Sequence, residues 1–149
     1  MISVDVSGPA ITGLTRSEIQ RFVSRCVRWC HSSGQIPGKA AELSIAFVDD
    51  SEMELLNRTF RGKRGTTDIL TFPAGDSLAL PGEGSSLGDL VISIPQAKKQ
   101  ARENHHSLST EIRYLLLHGI LHAYGHDHET DQGEMNALEL QIRPKVGLV

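Results

Sequence analysis

Cysteine is scarce in this chain: of 149 residues, two are cysteine, Cys26 and Cys30. Two thiols cannot staple a set of loops, so a disulfide framework is excluded. Their spacing of four puts both on one side of a helix. Two small buried side chains in a reduced compartment account for that more simply than a metal-binding pair. Long apolar runs are missing as well. No stretch approaches the roughly 20 residues of a membrane span, and the N-terminus has no basic segment followed by an apolar one. A cytoplasmic protein with no membrane partner is expected. Nor is there a surplus of positive charge. The net charge of -3 excludes a molecule that attracts polyanions as a whole, so nucleic acid would have to bind through a local patch. Internal repeats, low-complexity tracts and linkers are absent too, and residues 1–149 are expected to form one domain. The chain is long enough to bury an ordinary core, and its 39% hydrophobic and 22% charged content is that of a globular protein.

Histidine, by contrast, is concentrated. Of seven histidines, four fall between His118 and His128. His118 and His122 are four apart, so on a helix they point the same way, about 6 Å apart along the axis. Gly125 stands where the chain must leave that helix, since glycine takes the left-handed conformation that ends helices without steric cost. The turn brings His128 back as a third nitrogen donor. Three histidines leave a fourth tetrahedral position on zinc open to water, the mark of a catalytic rather than a closed structural site. The spacing H-x-x-x-H-x-x-G-x-x-H is that of the metzincins, with one absence of consequence. The glutamate that serves those enzymes as general base would follow the first histidine, and here that residue is Gly119. An isolated histidine pair is most often an ordinary surface or core feature. Three in this spacing, after an apolar helix and before a glycine break, point to a metal site.

Periodicity organises the rest. Residues 2–6 alternate as a short strand, and Thr15 or Ser17 can cap a helix to about His31 with Ile19, Phe22, Val23, Cys26, Val27 and Cys30 along one side. Residues 42–48 form a second strand. Asp49, Asp50 and Ser51 open a helix to about Arg58. A basic loop then leads to a third strand over residues 68–72, stopped by Pro73. Residues 74–88, rich in glycine and serine, are long enough for a flap over the site. A fourth strand lies within residues 87–94, and Pro95 starts a helix rich in lysine, arginine and glutamine. Ser107 or Ser109 caps the helix carrying the histidines, and a last helix covers about residues 130–142. The local patch that net charge demands is Arg58, Arg61, Lys63 and Arg64 around Phe60, unless this is merely a solvated loop.

Those residues carry a resemblance. Leu56 and Asn57 with Phe60, Arg61, Gly62 and Lys63, the run Thr67-Asp68-Ile69-Leu70-Thr71-Phe72-Pro73, and the run Leu87-Gly88-Asp89-Leu90-Val91-Ile92-Ser93 all match one pattern. Ala97, Gln100, Ala101, Ser107 and the histidine motif with its glycine complete it. From Glu42 onward the chain resembles the YbeY family of bacterial single-strand-specific endoribonucleases, which act in ribosomal RNA maturation, including the 3′ end of the small-subunit RNA, and in ribosome quality control. The resemblance implies an α+β fold, helices packed on a four-stranded mixed sheet with the metal at one end. It implies one zinc ion on His118, His122 and His128, and makes Arg61 the arginine needed near it. Single-stranded and ribosomal RNA, the small ribosomal subunit and its assembly factors are the implied partners, with no DNA. Three positions depart from the family. His126 replaces a usual tyrosine and could compete for metal or move protons, Arg64 replaces an acid, and Thr66 a proline.

The chemistry of RNA cleavage fits these residues. Zinc lowers the pKa of a bound water to about 7, or acts as a Lewis acid on the phosphate. The fork of Arg61 suits non-bridging phosphoryl oxygens, the competing account being a surface salt bridge to a neighbouring acid. Asp127 and Glu129 flank the last histidine, and either could orient a ligand or relay a proton. Asp89 and Met135 read as structural. A zinc peptidase would share the histidines but lacks its base at Gly119, and a non-catalytic, metal-stabilised ribosome-assembly module would leave an open coordination position unexplained.

Overall fold

Strand β2 (Glu42–Val48) is apolar on both faces, and this decides the architecture. Leu43, Ile45 and Phe47 point to one side of the sheet and Ala46 and Val48 to the other, and each side has its own hydrophobic cluster. A strand buried on both faces needs layers above and below it. The computed structural model describes residues 2–32, 42–73, 86–125 and 131–148. In it β1 (Ser3–Ser7), β2, β3 (Ile69–Pro73) and β4 (Ser86–Ser93) form a sheet of order β1-β2-β4-β3. The pairs β1·β2 and β2·β4 are parallel, while β3 runs antiparallel to β4 and forms an edge. This is the mixed four-stranded α+β fold that the resemblance implies.

The larger layer is built from α1 (Arg16–Ser32), α3 (Ile94–Glu103), α4 (Leu108–Ala123) and α5 (Glu134–Ile142). Thr15 caps α1 reciprocally: its hydroxyl accepts the Glu18 N–H at 3.1 Å, and its own N–H donates to the Glu18 carboxylate at 3.1 Å. The stripe from Ile19 to Cys30 is buried as its periodicity requires. Burial pushes the Cys30 thiol up to about 12 and the Cys26 thiol higher still, so both are neutral core side chains.

On the opposite face lies α2 (Asp50–Arg61), capped by Asp49, whose carboxylate accepts the Glu52 N–H at 2.8 Å. Such a cap is worth about 1 kcal/mol. Met53, fully buried over Val48, Leu70 and Val91, contributes roughly 1.5–3 kcal/mol and does more to hold the helix on the sheet. The helix runs to Arg61, three residues beyond the sequence reading. It stops where Gly62 adopts φ 64°, its N–H bonded to the Arg58 carbonyl at 3.1 Å. Arg61 therefore sits on the last turn of a packed helix and not in a loop. The last helix starts later than expected, at Glu134, and the chain finishes in a tight 3-10 turn, Arg143–Val146. The expected flap falls mostly outside the described residues.

Candidate active site

Helix α4 is apolar almost all the way round and is correspondingly buried, with Ile112, Leu116, Leu117, Ile120 and Leu121 at zero exposure. Ser107 caps it, accepting the Thr110 N–H at 3.2 Å. His118 and His122 occupy the half-buried stripe left over near its C-terminal end. Their Nε2 atoms lie 3.2 Å apart. An ion held 2.0–2.1 Å from each of two imidazole nitrogens in tetrahedral geometry keeps those nitrogens about 3.3 Å apart, so the spacing of the pair suits a zinc-sized cation. The helix ends as anticipated: Gly125 takes φ 103° and its N–H donates to the His122 carbonyl at 2.9 Å. His128, His126, Asp127 and Glu129 lie outside the described residues.

The second wall of the site comes from α2 and the segment after it. A cleft of about 790 Å³ runs along the open edge of the sheet, between Arg61, Lys63 and Arg64 on one side and His118 and His122 on the other, with β3 as its floor. Because α2 and α4 pack on opposite faces, the edge strand is where their ends can face one another. Hydrogen bonds pin the intervening segment. Asn57, buried in α2, donates Nδ2 to the Gly65 carbonyl at 3.1 Å. Asp50 accepts from the hydroxyls of Thr66 at 3.1 Å and Ser93 at 2.9 Å and from Gln96 at 3.2 Å. Asp68 accepts from its neighbour's backbone at 2.7 Å and from Gln100 at 3.1 Å. Among the described residues no ion pair involves Arg58, Arg61, Lys63 or Arg64, so the salt bridge that competed for Arg61 is not formed there.

Sequence reasoning missed Glu139. Buried in α5, its Oε1 lies 2.9 Å from His118 Nδ1 and its Oε2 accepts from Arg143 at 2.8 Å. Burial by itself would raise its pKa, but the contacts to His118 and Arg143 outweigh that and hold it below the usual carboxylate range. An ionised carboxylate at Nδ1 selects the tautomer that leaves Nε2 as the lone-pair donor, the arrangement common behind metal-ligating histidines. The role considered for Asp127 or Glu129 is thus filled, at His118, by a residue from another helix. The available signal was a glutamate among Met135, Leu138 and Ile142 on an apolar stripe, with an arginine four residues on. Met135 is a buried core methionine, and Asp89 is exposed on β4.

Gly119 also has a structural reason. A Cβ there would lie 2.8 Å from Ile69 Cδ1 and 3.0 Å from Leu90 Cδ2. Helix α4 approaches the sheet too closely at this point for any side chain without a shift of its neighbours. At the position that bears the base in zincins, a side chain would have to displace the terminal methyl groups of Ile69 and Leu90.

An α+β fold with a zincin-like helix whose histidine pair faces a basic wall defines the class. The sequence pattern of the family described as "Endoribonuclease YbeY" matches residues 10–147. Proteins named Endoribonuclease YbeY from Solibacter usitatus and Nautilia profundicola are similar to this chain. The first is 42% identical over 91% of this chain and 82% of its own length, the second 49% identical over 72% and 73%. The solution structure of a Thermotoga maritima protein shares the fold, with a TM-score of 0.57 and 22% identity, over 97% of this chain and 89% of that one. The chain belongs to the Endoribonuclease YbeY family.

Proposed function

We propose that residues 1–149 act as one domain, a zinc-dependent endoribonuclease that cuts single-stranded RNA in ribosomal RNA maturation. The observation that carries this reading is the single cleft in which Arg61 and the histidine pair confront each other, in a chain of this family. In this proposal His118, His122 and His128 hold the metal, Arg61 is catalytic beside them, and the small ribosomal subunit and its assembly factors are the partners. A cytoplasmic location follows from that substrate. No described helix is long and apolar enough to cross a membrane.

Cleavage of a phosphodiester requires relief of charge on the phosphoryl oxygens, a nucleophile and a protonated leaving group. A zinc ion, when bound, supplies Lewis-acid stabilisation and activates the nucleophile. The protein's own groups do the rest. Arg61 offers two parallel N–H donors to the non-bridging oxygens, at a position set by helix α2. Lys63 and Arg64 line the same wall and hold flanking phosphates. Glu139 keeps a proton on His118 Nδ1 and so keeps Nε2 pointed at the cleft. Replacing Glu139 by alanine should weaken metal binding about 10- to 100-fold, measured by competition with a chromogenic chelator, with Glu139→Gln intermediate. A lowered melting temperature at unchanged metal affinity would reduce Glu139 to a structural partner of Arg143.

Preference for single strands is the direct test of the substrate. A flexible strand can bend its backbone into a cleft along a sheet edge, whereas an A-form duplex holds its phosphates in fixed geometry. Cleavage of a single strand should exceed that of its perfect duplex at matched concentration, fall as salt is added, and stop with chelator. Equal cutting of both forms, or casein hydrolysis lost on mutating His118, would overturn the proposal.

A further inference from the structure

The inward stripe of α2 is Met53, Leu56, Asn57 and Phe60, by helical spacing. Its first members lie over the sheet. The last overhangs the edge strand: Phe60 is 62% exposed, although it sits on the face that buries Met53 and Asn57. Its ring meets Phe72 of β3 edge-on, centroids 5.3 Å apart at an interplanar angle of 75°. That contact fixes the ring's direction and leaves most of its surface open. Among the described residues two other large apolar side chains, Leu55 and Leu140, are comparably exposed, but neither is aromatic. Phe60 alone of the three stands next to a cleft-lining arginine in sequence and one turn from cleft-lining Asn57.

We propose that Phe60 is a stacking subsite for one unpaired base of the strand whose reacting phosphate lies at Arg61. This rests on the endoribonuclease reading and deepens it. The surroundings choose the occupant. Arg58, Arg61, Lys63 and Arg64, all within four residues of Phe60 in sequence, are exposed, and among the described residues none is in an ion pair. A partner that presents regularly spaced negative charge together with flat aromatic faces is a single-stranded nucleic acid. A duplex keeps its base faces stacked on one another, so the subsite favours single strands by a route independent of backbone flexibility. The ring does not touch the reacting phosphate, so it acts on affinity and register and not on the chemical step.

The test uses an oligoribonucleotide whose cut site for the wild-type protein has been mapped, with an abasic residue placed at each position in turn. Removal of one particular base should lower kcat/KM roughly 5- to 150-fold for wild type, mainly through KM. Phe60→Ala should lower kcat/KM for the intact strand by a similar factor and should no longer respond to that abasic residue. Phe60→Tyr should behave as wild type, and Phe60→Leu as alanine. Since the side chain is mostly exposed, melting temperature and metal content should be unchanged in all three. Wild-type kcat/KM in Phe60→Ala would overturn the proposal, and so would full rescue by leucine, which marks a generic apolar contact such as a protein-docking patch. A wild-type protein that cuts no RNA overturns the endoribonuclease reading instead. Stacking is then decided by binding alone, from quenching of a 2-aminopurine base in a short single strand by wild type but not by Phe60→Ala.

Discussion

Replacing His122 by alanine is expected to strip the protein of its metal. The two Nε2 atoms lie 3.2 Å apart, so in the proposed site both imidazoles would serve one ion and loss of either would remove a whole ligand. Sharing the ~10–16 kcal/mol of a structural zinc site among its ligands assigns roughly 3–4 kcal/mol to each, a loss of several hundred-fold in affinity. Stoichiometric zinc in the wild type should fall to a trace after gel filtration, and RNA cleavage should fall with it. The fold should survive, because His122 is only half-buried and α4 is held by the leucines and isoleucines around it. Elemental analysis alongside circular dichroism reads both outcomes. A folded His122→Ala protein with full metal content would show the assignment to be wrong.

Arg61→Ala should produce the largest effect that leaves the metal in place. Charge on the phosphoryl oxygens grows toward the transition state, so a fixed guanidinium there stabilises that state more than the bound substrate. Loss of one such donor costs about 2.7–4 kcal/mol, or roughly 10²–10³ in turnover, with a much smaller change in RNA affinity. Arg61→Lys should recover only part, because an ammonium is a point charge and cannot make the paired contact. Arg58, Lys63 and Arg64 should behave differently, each lowering affinity and the salt slope with little effect on the rate of the bound complex. Single-turnover cleavage at saturating enzyme separates the cases. A wild-type rate for Arg61→Ala under those conditions, with metal content unchanged, would make it a surface charge. Together with the Phe60 variants the series divides residues 58–64 by function: Arg61 on rate, the flanking cations on affinity and salt dependence, the aromatic on affinity and register.

The elements were largely legible because their signals are local. Alternation in β1, the apolar stripe of α1, the serine before α4 and the glycine after it depend on residues within a turn or two of one another, and the chain carries them in its order. So does the histidine pair, since helical pitch alone brings residues four apart to one side. The end of α2 was misplaced by three residues for a related reason. Arg58 to Arg61 have no strong helix stop of their own, and it is Gly62, read as part of a basic loop, whose left-handed conformation terminates the helix.

Tertiary structure decided what depends on distant segments meeting. Glu139 reaches His118 across 21 residues, and Asp50 and Asp68 find Ser93 and Gln100 at separations of 43 and 32. No local pattern distinguishes such carboxylates from solvated ones, because what makes them structural is a partner supplied by another layer. Gly119 was read as a missing base. Only the packing of α4 on Ile69 and Leu90 shows that the glycine also lies in close contact with the sheet's side chains. The cleft has the same origin. Arg61 and the histidines belong to helices on opposite faces of the sheet, and they meet because β3 is an edge strand with both helix ends projecting past it. Side-chain chemistry and helical spacing wrote the histidine pair into the sequence, but the order of four strands put the arginine across from it.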